Sequence, residues 1–286
     1  MKGLKSLILL SIFLLPLFCV NVSTADESSQ IAQHFLNKTP VTKLDAGTTI
    51  DQAMKLQAQY LAKISNKLGP LAGYKAGLTS AVSQKKFGVS HPLRGTLYKK
   101  MLLKSGTVLP AKFGVRPMSE GDILVRVGSD SINKAKTAKE ALKCIDAALP
   151  FIELPDLLFG KGVKITGPRL AAINVAARSG IVGNPIFIKP TSEWFDRLKN
   201  FKVQILDCKG NLLVEGKGSN LLGHPLNVVL WIRDSLAAEG KTLKKGDLLS
   251  LGTITKLMPT KANTTVQARY VGLDPNGPVD ISVKFK

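Results

Sequence analysis

Glu120 and Asp122 stand two residues apart in PMSEGDILVRV (residues 117–127), a run whose alternation reads as a β-strand. Residues at i and i+2 of a strand face the same side. The two carboxylates therefore repel unless a cation or a basic group sits between them. Glu153 lies further on in a mostly apolar run, ALPFIELPD (148–156), where an unpaired acid is expensive to bury. Together the three make an all-oxygen set suited to a hard divalent cation, Mg2+ or Mn2+. Spacing alone also allows two exposed strand acids and an unrelated surface Glu, because E-x-D is a common pattern.

Three further places can carry chemistry. Lys75 sits between glycines in GYKAG (73–77), where a lysine can approach a substrate closely; the alternative is an edge-strand charge that blocks aggregation. His224 opens a helix at GHPLN (223–227), as a ligand, a base or a plain cap. Thr253 and Thr255, in LGTIT (251–255), offer hydroxyls and backbone N–H groups to a carboxylate, or form an ordinary strand-end turn. The chain holds no G-x-S-x-G, P-loop, G-x-G-x-x-G after a strand, or H-E-x-x-H, which turns the reading away from nucleophilic hydrolysis and nucleotide chemistry.

The elements that must position these residues are mostly strands. Residues 26–69 read as helical, with Ile50, Met54, Tyr60, Leu61, Ile64 and Leu68 at helical spacing. Gly69-Pro70 stops that helix. A short strand (71–79) and a short polar helix (80–87) follow. After Pro110, strands are expected at 123–127, 151–154, 181–188, 203–207, 212–216, 247–252, 264–272 and 279–285, and helices at 136–147 and 224–238. This pattern defines an α+β class: a strand-rich mixed β-sheet core with a small helical N-terminal unit. The expected division is a leader (1–25), an N-terminal helical and mixed region (26–105) and a β-rich core (106–286).

The chain has 286 residues and a net charge of +20. Its lysines are scattered, and only four Tyr and two Trp are present as stacking platforms. The charge suits attraction of small anionic substrates, and no specific nucleic-acid partner is expected. Lys2 and Lys5, the apolar run at 7–20 and the small residues 23–25 read as an export signal. An exported, periplasmic protein with no stable membrane insertion after cleavage is expected. Beyond the leader, Cys144 and Cys208 remain, read as two buried thiols, with a disulfide as the alternative.

Five stretches carry a resemblance that spans nearly all of the chain beyond the leader. They are GYKAGLTS (73–80) with FGV and HPLRGTLY after it, RPMSEGDILVRV (116–127), ALPFIELPD (148–156), LLGHPLNVVLWIRDSLAAEGKTLKKGDLLSLG (221–252) and VQARYVGLDPNGPVDISVKF (266–285). In these the chain resembles the 2-keto-4-pentenoate hydratases of the fumarylacetoacetate hydrolase superfamily. The resemblance implies that fold, a Mg2+ or Mn2+ ion on Glu120, Asp122 and Glu153, and substrate contact and proton transfer at Lys75. Leu78, Thr253 and Thr255 are expected at the substrate, and a homo-oligomer is expected. The implied reaction ketonises a metal-held dienol of a 2-keto acid, protonates its distal carbon and adds water, giving a 4-hydroxy-2-keto acid.

The sequence also departs from that family. Asp122 stands where Glu is usual. Asp156-Leu157-Leu158-Phe159-Gly160-Lys161 replaces a serine-arginine pair and an Asp-Trp pair. Ile173 replaces the Asp of an Asp-Asn-Ala-Ser type run. The alternatives are an oxalocrotonate-type decarboxylase, a C–C hydrolase, or an exported protein that keeps the fold and binds without turnover.

Overall fold

The computed structural model describes residues 24–47 and 49–286, with side chains from residue 27 onward. The expected leader lies outside the described residues up to position 23. Among the described residues no helix is long and apolar enough to cross a membrane. In chain order the elements are α1 (Thr24–Asn37), α2 (Ile50–Leu68), β1 (Leu71–Gly77), α3 (Ala81–Phe87), β2 (Leu93–Tyr98), β3 (Leu102–Lys104), β4 (Thr107–Leu109), β5 (Met118–Val127), α4 (Ala138–Leu142) and β6 (Ile145–Leu154). They continue as α5 (Gly167–Ala172), β7 (Ser179–Val182), β8 (Ile186–Phe187), α6 (Ser192–Asn200), β9 (Lys202–Leu206), β10 (Leu212–Lys217), α7 (Pro225–Ala237), β11 (Leu248–Ser250), β12 (Met258–Pro259), β13 (Thr264–Asp274) and β14 (Gly277–Phe285).

Among the described residues the strands form two sheets, so the fold is mixed α+β, as its sequence pattern indicates. The larger runs β2-β1-β11-β5-β6-β7-β3, with β12 on β5 and β8 on β6; the smaller runs β10-β9-β13-β14-β4. Strands β1 and β2 share the large sheet with β5 and β6, so one sheet crosses the expected boundary at residues 105 and 106.

Alternation on β5 and β6 separates two cores. Ile123, Val125, Ile152 and Leu154 pack toward the small sheet and α7. Leu124, Leu149 and Phe151 pack toward α1, α2 and α5. Glu120 and Asp122 share parity with Leu124, and Glu153 with Phe151. The acids therefore continue the face covered by α1, α2 and α5, at the end where its apolar stripe stops.

Several expectations are corrected. The helical stretch expected over 26–69 is two helices, α2 starting from a Thr49–Gln52 capping box. The helix expected over 136–147 keeps only α4, because Ala147, Leu149 and Phe151 alternate onto the α2 side as part of β6. Pro150 is tolerated inside β6 because its missing N–H faces the link between β7 and β8, where its carbonyl accepts from Gly183 N at 2.8 Å. The strand expected over 181–188 splits into β7 and β8 around that link. Helices α5 and α6, of 6 and 9 residues, add to the expected elements. Cys144 and Cys208 are free thiols, Cys144 buried but Cys208 exposed in the turn after β9.

Candidate active site

The antiparallel register of β5 on β6 sets Glu120 directly opposite Glu153. Like charges so placed destabilise a sheet unless something lies between them. What meets them is Lys75. Strand β1 pairs in parallel with β11, Lys75 opposite Ser250. Strand β11 pairs with β5, Ser250 opposite Leu124. Lys75 Nζ donates to Glu153 Oε1 and, at 3.0 Å, to the Val175 carbonyl. Asp122 is fixed by the Ser250 hydroxyl and, at 2.6 Å, by the N–H of Ile123. All four charged side chains are at most 5% exposed.

Glycines make the room. Gly95 is the β2 partner of Lys75; a Cβ there would fall 2.9 Å from Lys75 Cγ and 2.8 Å from the Asn174 carbonyl. Above the lysine, Asn174, Val175 and Ala176 form a left-handed turn with φ of 60°, 51° and 60°. For Val175 and Ala176 this conformation costs about 1–2 kcal/mol each. The Asn174 amide holds the turn by bonding both backbone groups of Thr96, accepting from its N–H at 2.7 Å and donating to its C=O at 2.9 Å. The result of that strain is a carbonyl aimed at Lys75. From the opposite side, Tyr270 of β13 reaches between β5 and β6, accepting from Phe151 N at 2.9 Å and lying 2.7 Å from the Asp122 carbonyl.

A cavity of about 480 Å³ opens on this centre. Lys75, Leu78, Glu120 and Thr253 line it. Asp122 and Glu153 lie beneath its surface. Thr255 is corrected: it is buried, and its hydroxyl accepts Gly121 N at 2.8 Å, so it serves β5 and leaves the cavity to Thr253. His224 is the cap of α7. Its Nδ1 accepts Leu226 N at 3.1 Å, its Nε2 lies 3.0 Å from the Phe195 carbonyl, and burial holds its pKa below the usual value. Ser250, Asn174, Tyr270 and Arg116 were missed, because only the register of distant strands and the course of the 173–176 turn bring them here.

Burial, and next the Glu153 charge, push the carboxyl of Glu120 well above its ordinary value; the same two causes act on Asp122. Lys75 and the neighbouring hydroxyls oppose this without reversing it. The folded state therefore holds protons on these acids that an unfolded chain releases above the ordinary values of 4.5 and 3.8. Stability falls with pH wherever the folded state binds more protons. Metal-free protein is accordingly expected to lose stability as pH rises from that range through the raised values. Melting temperature against pH in a chelator measures the slope, and Asp122→Asn should flatten it; a slope unchanged in that variant would contradict the assignment.

The donor set fits a hard divalent ion in type: three carboxylates, with Glu153 Oε2 buried and unpartnered. Yet among the described residues no three His, Cys, Asp or Glu side chains converge closely enough to hold an ion. In the present arrangement the Lys75 ammonium provides the positive charge at Glu153.

No family model matches the chain. Among curated proteins it is similar to the TodF product hydratase of Pseudomonas putida, 26% identical over 234 residues that cover 82% of this chain and 85% of the relative. It is also similar to a 2-keto-4-pentenoate hydratase of Paraburkholderia phymatum, 28% identical over 71% of this chain and 75% of the relative. Among solved structures, 4-oxalocrotonate decarboxylase from Pseudomonas putida G7, complexed with magnesium and adipate, aligns over 92% of this chain and 97% of its own, with a TM-score of 0.80 at 22% identity. Fumarylpyruvate hydrolase from Pseudomonas aeruginosa, in complex with Mn2+ and pyruvate, aligns over 76% of this chain and 91% of its own with a TM-score of 0.52 at 12% identity. The fold is of the fumarylacetoacetate hydrolase type. Within that type the sequence is similar to the 2-keto-4-pentenoate hydratases, as the five motif stretches indicate.

Proposed function

We propose that the protein is a divalent-metal-dependent hydratase that adds water to a 2-hydroxypenta-2,4-dienoate-like substrate, giving a 4-hydroxy-2-keto acid. The observation that carries this reading is the meeting of Lys75 with Glu153, beside Glu120 and Asp122, at the floor of a cavity with largely apolar walls. Similarity to hydratases over more than two thirds of both chains supports it. Glu120, Asp122 and Glu153 are the residues that would hold the metal. A bound divalent ion supplies Lewis-acid polarisation of the keto-acid oxygens.

The chain's own residues do the rest. Lys75 Nζ, held by Glu153 and the Val175 carbonyl, is the proton-bearing atom at the floor and meets the keto-acid end of the substrate. Ser250 and the N–H of Ile123 hold Asp122 in place. Leu78, Leu157 and Val163 line the cavity and shield the reacting carbons from bulk water.

The test is loss of dienol absorbance with purified protein and Mn2+, against a metal-only blank, with carbon dioxide measured in parallel on 4-oxalocrotonate. Dienol loss that stops in Lys75→Ala is the expected result. No loss above the blank would refute the hydratase reading, and carbon dioxide release alone would assign a decarboxylase instead.

A further inference from the structure

The antiparallel pairing of β5 with β6 does not stop at Met118. Pro117 bridges Asp156, in the same register that sets Glu120 opposite Glu153. Leu157 N donates to the Arg116 carbonyl at 3.3 Å. The pairing ends there, with the chain bending at Arg116, about 13 Å along the chain from Glu120. Both residues line the same cavity.

Arg116 is held but not satisfied. The buried carboxylate of Asp156 takes the N–H groups of Val115 at 3.0 Å and Arg116 at 2.8 Å, which fixes the backbone. The charge partner of that carboxylate is Arg178, whose Nε donates to it at 2.8 Å. The guanidinium of Arg116 makes no ion pair or side-chain hydrogen bond among the described residues, although the residue is only partly exposed. Lys86 lines the same cavity without an acid partner. Glu120 is the one acidic residue among the lining side chains, and Val163, Ile165, Leu170 and Leu257 are apolar. The cavity lining therefore combines Lys75 and Glu120 with apolar side chains and two cations that have no acid partner, Arg116 and Lys86.

We infer that Arg116 is the docking point for a second acid group, so that the preferred ligand is a 2-keto acid carrying a carboxylate at its far end. This rests on the keto-acid reading of the floor. A planar guanidinium pairs a carboxylate through two parallel N–H bonds, a geometry that a chain ending in methyl cannot use.

The matched probes are 2-oxoadipate and 2-oxohexanoate, which share a carbon chain and differ in the terminal carboxylate. Their affinities are measured by calorimetry on the full chain with Mn2+, for the native protein, Arg116→Gln and Glu120→Gln. The native protein is expected to prefer 2-oxoadipate by at least about tenfold. Arg116→Gln should erase the preference by weakening 2-oxoadipate far more than 2-oxohexanoate, and Glu120→Gln should weaken both. Equal binding of the two acids by the native protein, or a preference that survives Arg116→Gln, overturns the inference alone. Failure of both acids to bind overturns the keto-acid reading together with it. Melting temperature of Arg116→Gln, expected to equal that of the native protein, separates lost docking from lost folding.

Discussion

Lys75→Met is expected to cost about 3–5 kcal/mol of folding stability in metal-free protein, the usual penalty for removing one partner of a buried ion pair. Both side chains of the Lys75–Glu153 pair are 4% exposed. Met matches the lysine stem in length and apolar character, so the loss comes from charge. Glu153 would then face Glu120 across the β5–β6 ladder with neither carboxylate oxygen partnered. Two consequences separate this from generic damage. Glu153→Gln placed on top of Lys75→Met should recover most of the loss, since neutral groups replace both charges. Mn2+ should stabilise Lys75→Met by more than it stabilises the native protein, because the ion supplies the missing positive charge. Urea denaturation in chelator and in Mn2+ measures all three. A single variant as stable as the native chain would mean that the ion pair carries no net interaction.

Gly73→Ala is expected to be about as damaging, for a steric reason. Gly73 has φ +146°, and a Cβ there would lie 1.9 Å from the Leu248 carbonyl oxygen and 2.6 Å from its nitrogen. Both atoms are backbone, so no side chain can move aside. Gly73 is paired with Leu248 in the parallel contact of β1 with β11. Forcing them apart withdraws Ser250 from Asp122 and shifts Lys75 away from Glu153. A cost of about 3 kcal/mol or more is expected. Gly88→Ala is the control: it is also left-handed, at φ +70°, with nothing within 4 Å of an added Cβ, and should cost only about 1–2 kcal/mol. Equal denaturation midpoints for the two variants would contradict the close approach of β1 to β11.

These two residues show what was legible in the sequence. Lys75 between glycines and the Glu120, Asp122 and Glu153 pattern were visible because strand parity and an acid in an apolar run are local signals. Their convergence was not local. It depends on β11, a three-residue strand more than a hundred positions downstream, inserting between β1 and β5. Thr255 looked like a substrate contact from its place at a strand end, but its hydroxyl is used by Gly121 N. The 173–176 turn could not be read at all. Asn visits the left-handed region readily, but Val and Ala do not, and the bonds of Asn174 to Thr96 and the pull of Lys75 on the Val175 carbonyl hold all three there. Helix α5 was hidden by its six-residue length, too short for an amphipathic period to emerge.

The most direct test of the central claim is Mn2+ binding, followed by electron paramagnetic resonance, to the native protein, Glu153→Gln and the double variant Glu120→Gln with Asp122→Asn. The double variant removes repulsion between buried acids and is expected to fold, whereas Glu153→Gln leaves the buried Lys75 without its carboxylate, so its melting temperature is measured alongside. Stoichiometric binding to the native chain is expected, strengthened by a 2-keto acid such as pyruvate, with loss of that site in both variants. Binding of the same strength in native and variant proteins would contradict it and move the metal, and with it the chemistry, away from the β5–β6 carboxylates.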